Sequence, residues 1–157
     1  MHVQKFLQKY MIVFMVALLL ATLPAGSILA DEFHSGQVDV ALSDFTNPMD
    51  WAVTVSTAVV GAKKVKFNVT NVSLSAGIPH EFVVIKTDLA PDQLPRRIDN
   101  PNAADESQLQ VIARTNRLLP GETVRLKLAL EPGNYVLICN IGGHYNAGMY
   151  TAFRVVE

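Results

Sequence analysis

The chain has 157 residues, half of them hydrophobic, a formal net charge of −1 and one cysteine. That length suits one domain, and a lone cysteine excludes an internal disulfide. A near-neutral balance without a basic stripe argues against nucleic acid as a partner.

Residues 1–30 read as an export signal rather than as part of the domain. Lys5 and Lys9 form a basic head, residues 11–23 are an uninterrupted apolar run, and Ala30 places a small residue just before Asp31-Glu32. A run of that length is short for a membrane span and fits the apolar core of a secretory signal. An uncleaved membrane anchor is the alternative, because Ile28 is bulkier than the usual residue three positions before a cleavage point. Residues 31–157 then form one folded domain in the periplasm or another extracytoplasmic space. All fourteen acidic residues lie in that part, so the domain is weakly acidic.

The domain reads as strands almost throughout. Val38, Val40 and Leu42 alternate with polar or small residues, as do Val65, Phe67 and Val69, and later Val124, Leu126, Leu128 and Leu130. Such period-two patterns put one face on a core and the other in water. Residues 51–60, 81–86, 109–115, 134–139 and 150–156 are richer in β-branched and aromatic side chains and predict more deeply buried strands. Pro120-Gly121 and Pro132-Gly133 mark turns between them. About eight strands at this spacing predict an all-β fold, a two-sheet antiparallel sandwich. The exception is the long connection 88–107, with Pro91, Pro95 and Pro101 and no sustained period. A connection of that length is functional or locally helical, with a helical turn or two expected within 103–110.

The chemistry concentrates between Cys139 and Met149. Cys139, His144 and Met149 follow one another at five-residue intervals. On one continuous strand such residues alternate faces and cannot converge. Gly142, Gly143 and Gly148 allow the chain to curl, including at positive φ, and bring the three side chains to a common centre. His80, placed by Pro79 at the head of the apolar run 82–85, is the best candidate for a fourth ligand. Two histidines and a cysteine in a plane, with a weak axial methionine, form a copper electron-transfer site. Zinc suits the set less well, since its sites rarely use a thioether. The plainer accounts are an inert buried Cys139, a structural His80 and a core-filling Met149. His34 is expected to be solvated near the start of the domain.

At these residues the chain resembles the cupredoxin, or type 1 blue-copper, family. The loop from Cys139 to Met149 is most similar to its sulfocyanin and rusticyanin branch. The resemblance covers residues 38–156 and is strongest at Pro79-His80-Glu81-Phe82 and from Pro132-Gly133-Asn134-Tyr135 through Met149. It implies an eight-stranded Greek-key sandwich binding one copper ion. His80, Cys139 and His144 would be equatorial ligands, Met149 the axial ligand, and the imidazole of His144 would reach the surface. Two positions depart from the family pattern. Glu81 stands where many members carry Asn or Ser, and Gly142 where close relatives often carry proline; both bear on site rigidity and potential. Tyr145 and Tyr150 are expected to supply packing beside two ligands.

The functional expectation is a one-electron carrier, not an enzyme. Its copper would cycle between Cu(I) and Cu(II) in an extracytoplasmic redox chain. Its partners would be a protein donor and acceptor, for example a cytochrome or a terminal oxidase, and the carrier itself a monomer. The competing expectation is a copper-handling protein that delivers or sequesters the ion. Against that, the domain has no exposed Met-rich or His-rich run, and against an oxidase it has no His-X-His pairs.

Overall fold

The structure, a computed structural model, describes residues 36–44, 51–61 and 64–157. The expected export signal and His34 lie outside the described residues. Among the described residues, no helix is long and apolar enough to cross a membrane.

Among the described residues, nine strands form in chain order: β1 (Gln37–Ser43), β2 (Ala52–Val55), β3 (Val59–Val60), β4 (Lys64–Asn71), β5 (Val83–Lys86), β6 (Gln110–Arg114), β7 (Thr123–Ala129), β8 (Gly133–Ile138) and β9 (Tyr150–Val155). They make two sheets, ordered β2-β1-β4-β7 and β3-β9-β8-β5-β6. The alternation in β1 and β4 does what period two demands. Val38, Val40, Val65, Phe67 and Val69 face the other sheet, and their neighbours face outward.

The two-sheet all-β sandwich is as expected, with two corrections. The sheets are mixed rather than purely antiparallel, because β1 pairs parallel to β4 and β3 parallel to β9. The run 51–60 is not one buried strand but two short edge strands, which raises the count to nine. It breaks at Ser56, whose N–H donates to the Asp39 carbonyl while its Oγ accepts from the Asp39 N–H. The chain then leaves the edge of one sheet for the edge of the other. Strand β6 is also an edge strand, and none of its residues is fully buried.

The deeply buried runs are β5 and β8, which have no wet face. Val84, Tyr135, Leu137 and Cys139 point into the core between the sheets. Val83, Ile85, Val136 and Ile138 point the other way, into a second apolar cluster with Leu94, Ala104 and Tyr145. The connection 88–107 covers that outer face. Its polar backbone is satisfied partly within the connection and partly by residues 139–149, and its helical content is one 3-10 turn, Glu106–Gln108, capped by the Asp105 side chain.

Phe67 ties the two sheets together, its ring 5.3 Å from Phe82 and 5.4 Å from Phe153. Removing a fully buried aromatic forfeits its transfer energy and leaves a void. Phe67→Ala is therefore expected to cost about 3–5 kcal/mol, read as a lower urea midpoint with an unchanged slope. A loss below 1 kcal/mol, on the order of a surface substitution, would contradict this packing.

Candidate metal centre

Each of the four expected ligands is fixed by a different piece of local structure. Cys139 is the first residue past β8, and Met149 the last before β9. The strands pair through Ile138 and Tyr150, and the Cys139 N–H continues the ladder by donating to the Met149 carbonyl at 3.0 Å. Residues opposite one another on antiparallel strands share a face, and both side chains lie in the inter-sheet core, fully buried. His80 is held by a two-way bridge with Leu118, its N–H donating at 3.0 Å and its carbonyl accepting at 2.7 Å.

His144 rides on the connection between Cys139 and Met149, which is wound into successive turns. Its N–H donates to the Ile141 carbonyl, and its own carbonyl accepts from Ala147 and Met149. Two glycines make the curl possible. Gly143 has φ +90 and Gly148 φ +105, and a Cβ on Gly148 would lie 3.5 Å from the Trp51 carbonyl. Gly142, expected to share this role, is not among the positive-φ positions.

The two histidines and the cysteine converge. Nδ1 of His80 lies 3.2 Å from Nδ1 of His144, and the Cys139 Sγ lies 3.7 Å and 3.3 Å from these atoms. The circle through the three donors has a radius of about 2.0 Å, the length of a metal–imidazole bond. A metal–sulfur bond is longer, about 2.3 Å, so one ion entering the plane of the donors would press Sγ outward by a few tenths of an ångström. His80 is wholly buried and His144 keeps 8% of its surface. The imidazole that the family resemblance placed at the surface thus has only a narrow solvent edge. Trp51 packs against it, ring centroids 4.5 Å apart, and lies 5.8 Å from His80.

The far sides of the donors are also occupied. His80 Nε2 lies 2.8 Å from the Ser73 Oγ. With a metal on Nδ1, Nε2 would carry the proton and donate a hydrogen bond to the Ser73 Oγ. Asn71, fully buried, fixes that serine by accepting from its N–H, and its Nδ2 donates to the Ile78 and Leu118 carbonyls. The Glu81 N–H points at Cys139 Sγ at 3.4 Å. Sequence reasoning missed Ser73, Asn71 and Trp51. Asn71-Val72-Ser73 carries an Asx-turn signature, but nothing local says that the turn meets a histidine.

Burial sets the protonation of the metal-free site. Loss of solvent pushes the Cys139 thiol up to about 11, against the smaller opposing pull of backbone N–H groups. It pushes His144 down to about 4, assisted by the neighbouring His80, and lowers His80 too, with Asp44 opposing in both cases. At neutral pH the three groups are therefore a thiol and two neutral imidazoles, and a metal that takes the thiolate displaces one proton.

A stability trend follows from His144. Its folded value lies below the ordinary 6.5, so between pH 6.5 and about 4 the unfolded chain takes up a proton that the folded chain refuses. Stability of the metal-free protein is expected to fall as pH drops through that window. Thermal unfolding of metal-free protein at pH 7 and 4.5 checks this, and His144→Gln should reduce the loss. An equal loss in the variant would remove His144 as its source.

No protein-family model matches the chain. Solved structures do. A dithionite-reduced auracyanin from the photosynthetic bacterium Roseiflexus castenholzii is 25% identical over 78% of this chain and 98% of its own, with a TM-score of 0.55. Rusticyanin from Thiobacillus ferrooxidans is 19% identical over 76% of this chain and 75% of its own, with a TM-score of 0.53. A reduced rusticyanin gives 21% identity and the same TM-score of 0.53. The branch suggested by the Cys139–Met149 loop is thus among the similar folds. The chain has the fold of the cupredoxins, and its converging His80, Cys139 and His144 donors indicate one copper ion.

Proposed function

We propose that the protein is a type 1 copper carrier of single electrons, with His80, Cys139 and His144 as equatorial ligands and Met149 as axial ligand. The observation that carries the proposal is the buried, converging triangle of one sulfur and two nitrogens. Copper held there supplies a centre that passes between Cu(I) and Cu(II). The chain's own part is to hold the donors still, keep water out and leave one ligand edge near the surface. The Ser73 and Glu81 contacts hold His80 and Cys139 in place, and the edge belongs to His144, beside the small and apolar Ile141, Gly142, Gly143 and Ala147. For Met149, the supporting fact is its place opposite Cys139 in the β8–β9 ladder, buried on the same side.

The wider setting belongs to the same proposal. Residues 1–30 act as an export signal, and the monomeric carrier works outside the cytoplasm between a protein donor and a protein acceptor. It performs no catalysis of its own.

Three measurements test this. One equivalent of Cu(II) should give an intense visible sulfur-to-copper band in the native protein and none in Cys139→Ser; a colourless, tightly loaded native protein contradicts the ligand set. Met149→Gln should lower the reduction potential and Met149→Leu raise it, because an oxygen donor favours Cu(II) while an apolar side chain withdraws the donor. A core-filling Met149 would leave both potentials unchanged, since leucine nearly conserves its volume. Finally, a carrier should retain copper through repeated oxidation and reduction in the presence of a chelating acceptor. Rapid surrender of the ion would favour copper delivery.

A further inference from the structure

The metal loop is tied down at three residues whose contacts face away from the donors. Tyr145 donates its hydroxyl proton to the Pro91 carbonyl at 2.8 Å and accepts from the Leu94 N–H at 3.1 Å. Asn146 accepts from Arg96 Nη1 at 3.0 Å, and its N–H donates to the Asn102 carbonyl. Asn140 makes the densest set. Its Oδ1 accepts from the Ala104 N–H at 2.8 Å, and its Nδ2 donates to the Ala104 carbonyl at 3.1 Å and to Glu106 Oε1 at 2.7 Å. The other oxygen of Glu106 pairs with Arg114 on β6.

The Asn140 amide thus does to Ala104 what a neighbouring strand would do, exchanging both a donor and an acceptor with one backbone residue. Ala104 is fully buried, but Asn140 and Glu106 line a surface hollow beside it, so without the amide its N–H and carbonyl would depend on water for partners. One peptide bond separates Asn140 from Cys139. That peptide unit is rigid, so rotation of its plane about the flanking single bonds moves Sγ against the Glu81 N–H and the two imidazoles. The anchors at Tyr145 and Asn146 restrain the far part of the loop and leave this rotation free.

We infer that Asn140 is a positioning residue for the Cys139 sulfur, acting through the connection 88–107, so that a segment remote from the metal sets the donor geometry. The inference rests on the copper reading for its spectroscopic test, but not for its test in the metal-free protein.

Four variants of the full chain decide it: Asn140→Ala, Asn140→Asp, Asn140→Asp combined with Glu106→Gln, and Leu94→Ala. The aspartate keeps the acceptor for the Ala104 N–H but sets a carboxylate oxygen against both Glu106 and the Ala104 carbonyl; the added glutamine removes the first of these clashes. Leu94→Ala loosens the same connection without removing a polar bond to the metal loop. With Cu(II) as probe, Asn140→Ala should shift the visible band and lose copper to a chelator about tenfold faster. The double variant should recover part of the native behaviour relative to Asn140→Asp. Leu94→Ala should unfold at lower temperature with its band unmoved. In metal-free protein, amide hydrogen exchange at Ala104 and at residues 139–141 should speed up in Asn140→Ala. A native band and native copper loss in Asn140→Ala, or an equal band shift in Leu94→Ala, would overturn the inference. Should the native protein give no band at all, the copper reading fails, and hydrogen exchange alone decides whether Asn140 holds the loop.

Discussion

The strand that ends in Cys139 is buried on both faces, and each face is covered by a different part of the chain. Tyr135, Leu137 and Cys139 meet the opposite sheet, while Val136 and Ile138 meet Leu94, Ala104 and Tyr145 beneath the connection 88–107. A strand covered on one side only has a surface through which its end can flex and admit water. Covered twice, β8 delivers Cys139 to a fixed point, and its ladder with β9 carries Met149 to the neighbouring one.

Convergence of the donors has a physical cost that the rest of the fold must offset. Two imidazole nitrogens 3.2 Å apart and a sulfur beside them are acceptors or weak donors turned toward one another in a dry space. Burial keeps them neutral, with the thiol pushed up and His144 pushed down. The arrangement persists because the groups are gripped from behind, His80 by Ser73 and Leu118, and Cys139 by the Glu81 N–H and the Met149 carbonyl.

Much of this was legible in the residues, and the limits of legibility have physical causes. Alternation in 38–42, 64–70 and 124–130 announced β1, β4 and β7, because one face of each meets water. The double burial of β5 and β8 also showed, as unbroken apolar runs. What alternation could not show is pairing direction, so the parallel contacts of β1 with β4 and β3 with β9 were missed. Apolar richness over 51–60 likewise hid a crossing between sheets, since an edge strand and a central one share a composition. The donors His80, Cys139 and His144 were readable because soft ligands at fixed spacing are rare. Ser73 and Asn140 were not, because a serine or asparagine takes its meaning from what the fold brings to it.

The connection 88–107 shows how the two kinds of information combine. Read as sequence, it is a proline-rich stretch with no period, and function or a short helix was the natural expectation. In the fold it supplies hydrophobic cover through Leu94 and Ala104 and polar anchors to Asn140, Tyr145 and Asn146. These tasks favour an irregular backbone. A regular helix would satisfy its own N–H and C=O groups and have few left to offer, whereas the irregular chain spends its carbonyls at Pro91, Asn102 and Ala104 on the metal loop. Loops tolerate change more readily than strands do. A connection bonded to the ligand loop in this way is expected to be a place where substitution alters the properties of the metal site while all four expected ligands stay the same.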